Sequence, residues 1–233
     1  MTRRPKGEQR QGVCAYCGVL GPMTRDHVFP VTLFLGSLDP QMITVPSCQA
    51  CHDAKSAGDS ALRDFVNLEI HGSRHPNALC HMEKIVRATE THRSLIGRAF
   101  LEQSVEQEWV TEAGVYLGQV VSVPADDFMD TVLRTIEYIV RGLYRYETRT
   151  NLPPESPVMA RYIEPHKVPQ VLADLRRWPP TKVTIKGHHV AGAVSWRPPE
   201  EPLATMWLVG FNNAVFFLGV TGQLAEEWRR LRE

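Results

Sequence analysis

Cys14-Ala15-Tyr16-Cys17-Gly18, read together with Cys48-Gln49-Ala50-Cys51-His52, decides how the N-terminal part of this chain folds. Each stretch holds two cysteines separated by two residues, and thirty residues lie between the pairs. A zinc ion takes four thiolates in a tetrahedron, and two such knuckles deliver that geometry. Gly18 suits the tight turn that aims backbone amides at sulfur. The competing readings are disulfides, which a reducing compartment disfavours, and four free buried cysteines, which the spacing disfavours. A four-cysteine zinc site has no open position for water or substrate, so its role is structural and the chemistry must come from what it positions. The fifth cysteine, Cys80, falls in an expected helix and reads as a small core residue.

Between the knuckles runs Thr24-Arg25-Asp26-His27-Val28-Phe29-Pro30, and the second knuckle continues as His52-Asp53-Ala54-Lys55-Ser56. Zinc would bring Asp26, His27 and His52 together across a gap of about twenty-five residues. Residues 13–58 are rich in Cys, Gly, Pro and Asp and poor in helical periodicity, as expected of a small unit that needs an ion to hold it together.

Further out, the chain of 233 residues has room for one large domain or two small ones. Lysine and arginine equal aspartate and glutamate at 26 each, so the formal charge is zero, which counts mildly against a dedicated stoichiometric nucleic-acid binder. It leaves room for an enzyme that touches nucleic acid through one patch. No apolar run is long enough to span a membrane. The basic stretch 1–12 leads into no apolar segment and reads as a flexible arm, so a cytoplasmic address is expected.

The expected architecture is α+β: a zinc-stabilised unit over 13–72, a helical and β connector over 73–124, and an α+β C-terminal domain over 125–233. Asp59 reads as a helix N-cap opening a run to Ile70 that Gly72 ends, and a second helix is expected over 77–104. Residues 109–123 are β-rich. The clearest helix is 126–147, where Phe128, Val132, Leu133, Ile136, Ile139, Val140 and Leu143 make one apolar stripe. Arg134, Tyr138, Arg141 and Arg145 make a second stripe, read as a solvated face against the alternative of a phosphate track. Three prolines make 151–157 a loop, and a short helix fits 168–178. Strands around Val183–Ile185, Val190–Trp196, Met206–Phe211 and Ala214–Val220 form a small mixed or antiparallel sheet. Asn212-Asn213 is its expected hairpin turn, and a final helix covers 222–232. Trp196, Trp207, Phe211, Phe216 and Phe217 read mostly as core, and the domain's role is open, with a dimer or protein partner among the possibilities.

Over residues 13–60 the order Cys-x-x-Cys, Asp-His-x-x-Pro, Cys-x-x-Cys-His resembles the zinc-knuckle-containing branch of the HNH endonuclease family. Ile43-Thr44-Val45-Pro46-Ser47-Cys48 is similar to the strand entering the second knuckle there. The resemblance implies a ββα-metal finger, with strands carrying Asp26 and His27 and a helix carrying His52. It also implies hydrolysis of phosphodiester bonds, with DNA as the expected partner and prokaryotic defence as one setting. Asp26 is a hard oxygen donor suited to Mg²⁺ or Mn²⁺, and His52 would be the second ligand. His27 suits a general base, and the metal would stabilise charge on the phosphate. Arg25 and Lys55 are candidate phosphate contacts, against the plainer reading of Lys55 as a surface lysine. The family's asparagine has no counterpart between His27 and His52, where Asp39, Gln41 or Thr44 could brace the loop instead. A zinc-stabilised nucleic-acid-binding or protein-interaction module without cleavage is the alternative.

Overall fold

The computed structural model describes residues 10–34, 42–69, 71–90, 105–111, 113–122, 126–176, 179–186 and 190–230. Strand β1 (Arg10–Val13) pairs antiparallel with β2 (Leu20–His27), and β2 pairs antiparallel with β3 (Thr44–Ser47). Residues 10–12, expected in the flexible arm, are therefore part of a strand. β3 lies at the sheet edge, which is where Pro46, having no N–H to donate, is tolerated. Helix α1 (Gln49–Leu68) follows at once.

That helix corrects the sequence reading. Asp59 is not its N-cap but sits mid-helix; the cap position belongs to Cys48, in extended conformation at φ −71° and ψ 159°. The metal-ligand residues at the helix start conceal the periodicity of residues 49–58. After α1 comes α2 (Pro76–Glu90), and the rest of the helix expected over 77–104, with Leu95, Ile96, Ala99 and Phe100, lies outside the described residues. Cys80 on α2 is exposed rather than a core residue. Strands β4 (Val105–Val110) and β5 (Tyr116–Ser122) form a separate antiparallel pair.

Helix α3 (Asp126–Thr148) is the expected long helix, and its apolar stripe is buried except for Leu133, which packs against the core partly exposed. Beyond it are β6 (Val158–Ile163), α4 (Val168–Leu175), β7 (Pro180–Lys186), β8 (Ala191–Trp196), β9 (Met206–Phe211), β10 (Val215–Thr221) and α5 (Gln223–Arg230). The strands form one antiparallel sheet in the order β6-β10-β9-β8-β7. Asn212 and Asn213 take positive φ of 49° and 55°, the left-handed turn expected of that pair. Of the C-terminal aromatics, Trp196, Trp207, Phe211 and Phe217 are buried, and Phe216 is partly exposed.

Period-two alternation divides the sheet's two faces. Phe217 and Phe211 share a core with Ile136, Ile139, Val140 and Leu143 of α3, with Leu62 and Val66 of α1, and with Cys14, Val28 and Phe29. Leu218 and Val220 belong to a second, smaller core with Trp196, Leu175 of α4 and Ala225 of α5. The cysteine-rich segment and the C-terminal sheet thus pack into one apolar core, with α3 between them.

The second stripe of α3 is not a solvated face throughout. Arg134 is exposed, as that reading expects, but the Arg141 guanidinium donates to the carbonyls of Pro153, Pro154 and Ser156 at 3.3, 3.4 and 2.6 Å. Arg145 bonds the Arg149 carbonyl, and Tyr138 packs edge-on to Tyr16 at 5.2 Å between ring centres. The prolines of 153–157 cannot build a regular element, so Arg141 supplies the donors their carbonyls need.

Gly72 joins α1 to the sheet at close quarters. A Cβ there would lie 2.2 Å from the Val66 carbonyl oxygen and 2.7 Å from Val215 Cγ2. Backbone cannot step aside as a side-chain tip can, so Gly72→Ala is expected to destabilise the fold by about 1–3 kcal/mol. Urea unfolding checks this: the midpoint should fall with the slope unchanged, and an unchanged midpoint would count against the close approach.

Candidate functional site

The cysteines meet where the β1–β2 turn faces the start of α1. The Sγ atoms of Cys14, Cys17, Cys48 and Cys51 all lie within 4.8 Å of one another. Zn–S bonds of about 2.3 Å in a tetrahedron put neighbouring sulfurs about 3.8 Å apart. Cys17 and Cys48 stand at 3.7 Å. Gly18 takes φ +73° and donates its N–H to the Cys14 carbonyl, closing the first knuckle, while the Tyr16 N–H points at Cys14 Sγ at 3.4 Å. Ala15 N–H bonds the Pro46 carbonyl at 2.8 Å and so ties the first knuckle to the strand leading into the second.

As bare thiols the four are unequal. Burial works to raise Cys14, but hydrogen bonds from the backbone of Cys48, Cys17 and Tyr16 outweigh it and bring it down to about 7. Cys51 is pushed far up by burial, then by its hydrogen bonds with Cys17 and Cys48. Four crowded sulfurs cannot all ionise unaided, and a dication in their midst removes that conflict. The donor set and spacing are compatible with a structural zinc ion.

Close to the cluster lies Asp26, 7 % exposed near the end of β2. Its Oδ2 accepts the Tyr16 hydroxyl at 2.5 Å and stands 3.5 Å from Lys55 Nζ; its Oδ1 is 3.9 Å from His52 Nε2. Because α1 starts at Gln49, His52, Lys55 and Asp59 fall at spacings of three and four and share the helix face turned to β2. Lys55 corrects the sequence reading: it is 1 % exposed and is neither a surface lysine nor free to meet a phosphate. Its ammonium donates to the His27 carbonyl at 2.8 Å and to both Asp59 oxygens at 3.2 and 3.4 Å. Burial raises the Asp59 carboxyl above its ordinary range, and the Lys55 charge works against that rise. Tyr16 is also raised, first by burial and then by the Asp26 charge beside it, so it remains a donor across the working pH range.

The structure therefore brings Asp26 and His52 together, as expected. At 3.9 Å the two atoms stand close enough that both could reach one cation. His27 follows Asp26 as the last residue of β2. Its imidazole is partly exposed and, among the described residues, has no hydrogen-bond or ionic partner. Arg25 is exposed and, with Arg10, Met23, Thr24, Thr44, Val45 and Pro46, lines an open groove of about 580 Å³. Thr44 is the cross-strand partner of His27, so the groove reaches that histidine's position in the sheet. Asp39 and Gln41 lie outside the described residues.

Two residues of the site are not apparent from the sequence reading. Asp59 carries a usable signal, four residues after Lys55, which the expected helix start at Asp59 obscures. Tyr16 carries none: its contact with Asp26 depends on how the knuckle folds over β2. In comparisons with protein families, curated proteins and solved structures, the chain matches none.

Proposed function

We propose that this protein is a metal-dependent endonuclease that hydrolyses phosphodiester bonds in DNA through an HNH-like ββα-metal finger made of β2, β3 and α1. The observation that carries the proposal is the approach of Asp26 Oδ1 to His52 Nε2, 3.9 Å across the strand–helix junction, next in sequence to His27, whose imidazole has no partner among the described residues. In this reading the four cysteines hold a structural zinc ion, and Asp26 and His52 hold Mg²⁺ or Mn²⁺. When bound, that cation supplies positive charge to the phosphate oxygens and the leaving oxygen. His27 takes the proton from the attacking water, a task for which an imidazole is suited near neutral pH. Arg10 and Arg25 line the groove along which the phosphate backbone runs, while Lys55 acts from inside by setting the β2 strand end against α1.

Lys55 also favours a second reading. Its ammonium already stands 3.5 Å from the Asp26 carboxylate and offsets charge that a cation would use. A zinc-stabilised binding module without cleavage accommodates that arrangement.

Supercoiled plasmid incubated with the zinc-loaded protein and Mg²⁺ or Mn²⁺ separates the two. The expected result is nicking or linearisation by the wild type and a rate about 10²–10⁴-fold lower in His27→Ala. Intact plasmid under every metal tried, or equal cutting by His27→Ala, would defeat the nuclease reading. Plasmid retarded on a gel but uncut would be the signature of the binding module.

A further inference from the structure

We propose that Tyr16 is a positioning residue for Asp26, fixing which carboxylate oxygen is turned to His52. This rests on the reading of Asp26 and His52 as a divalent-metal pair. Both inner partners face the same oxygen: the Tyr16 hydroxyl donates to Oδ2 at 2.5 Å, and the Lys55 ammonium lies 3.5 Å from Oδ2 as an ion-pair partner. The other oxygen, Oδ1, is the one nearest His52 Nε2. With Oδ2 engaged from inside, the carboxylate presents Oδ1 alone on the outer side.

Tyr16 is well placed to hold that orientation because it is itself held at both ends. Its backbone lies between two cysteines of the cluster, with its N–H on Cys14 Sγ. The residue is 4 % exposed, and its ring rests edge-on against Tyr138 of α3. The hydroxyl therefore cannot swing away without disturbing either the knuckle or the α3 contact. The phenol thereby links the cysteine cluster to the site that the cluster frames, through a single hydrogen bond. Partners behind a metal ligand set its orientation, and their removal commonly weakens metal affinity about 10–100-fold.

The test is Tyr16→Phe, which keeps the ring and removes the hydroxyl. Zinc-loaded protein is titrated with Mn²⁺, and free Mn²⁺ is read by electron paramagnetic resonance, so the measurement needs no nuclease activity. Wild type, Tyr16→Phe, Asp26→Asn and the double variant are compared, with zinc content and unfolding midpoint measured for each. The expected result is Mn²⁺ affinity about 10–100-fold weaker in Tyr16→Phe, with one zinc per chain retained. In the Asp26→Asn background the same change should have no further effect. Wild-type Mn²⁺ affinity in Tyr16→Phe, where Asp26→Asn has lost it, would overturn the positioning role and leave the metal pair standing. Equal Mn²⁺ binding by wild type and Asp26→Asn would remove the metal pair and the inference with it. Loss of zinc in Tyr16→Phe would also overturn the proposal, because the hydroxyl would then serve the knuckle rather than the carboxylate.

Discussion

Cys48→Ser is expected to lose the bound zinc and to unfold the N-terminal half of the protein at temperatures where the wild type is intact. Apparent zinc affinities of structural sites in small peptides correspond to about 10–16 kcal/mol, as much as the whole stability of a typical domain at about 5–15 kcal/mol. Cys48 is a sulfur of the cluster at the N-cap position of α1, where its side chain makes no capping bond, so serine costs the helix start nothing and the expected loss comes from the metal site. The damage should not stay local. Cys14, Ala15 and Tyr16 belong to the same apolar core as Ile139 of α3 and Phe217 of β10. Hydrogen exchange should therefore accelerate in α1 and α3 as well as in the knuckles. Cys80→Ser is the matched control, since Cys80 is exposed and outside the cluster; it should keep its zinc and its melting temperature. Elemental analysis measures the bound metal directly. Fewer than about one zinc per wild-type chain, or full zinc retained in Cys48→Ser, would remove the four-cysteine site.

The second large effect is expected at Lys55. Lys55→Ala strips the positive partner from two largely buried carboxylates, Asp26 and Asp59, and it also frees the His27 carbonyl. Breaking a buried ion pair from one side costs about 3–5 kcal/mol because the remaining charge is left without compensation. A solvated surface lysine would change stability by no more than about 0.5 kcal/mol. Urea unfolding at neutral pH distinguishes the two values directly. Lys55→Met keeps much of the packing of the aliphatic stem but not the charge, so it should recover little. Adding Asp59→Asn to Lys55→Met should recover part of the loss, because one of the two stranded carboxylates is then neutral. A stability loss in Lys55→Ala that stays within the surface range would refute the buried ion-pair arrangement.

These two residues mark where the sequence is legible and where it is not. The cysteine pairs carry their meaning in spacing alone: a tetrahedral thiolate site needs two close pairs and tolerates almost any loop between them. The closeness of Asp26 to His52 is legible because one lies on the strand between the knuckles and the other adjoins the second. Helix α3 is legible because seven apolar residues recur at helical period, and the Asn212-Asn213 turn because asparagine tolerates positive φ. Lys55 is not legible. A lysine in a polar stretch is usually exposed, and its burial follows from α1 beginning at Gln49, which turns that side chain toward β2. Arg141 misleads in the same way: the residues that bury it lie in the 153–156 loop, which the periodicity of its own helix does not report.

By itself, then, the sequence determined the local chemistry of this protein: the four thiols, the acid and imidazoles beside them, the turns and the strongly periodic elements. These follow from residue type, spacing and backbone preference over short stretches of chain. Only the tertiary structure decided which side chains face one another. It set Tyr16 on Asp26, enclosed Lys55 between two carboxylates, left the His27 imidazole without a partner among the described residues, and packed the cysteine unit and the C-terminal sheet around α3. Those outcomes depend on contacts between segments far apart in the chain, where the energy of burying apolar surface overrides local preference and no short-range pattern records the result.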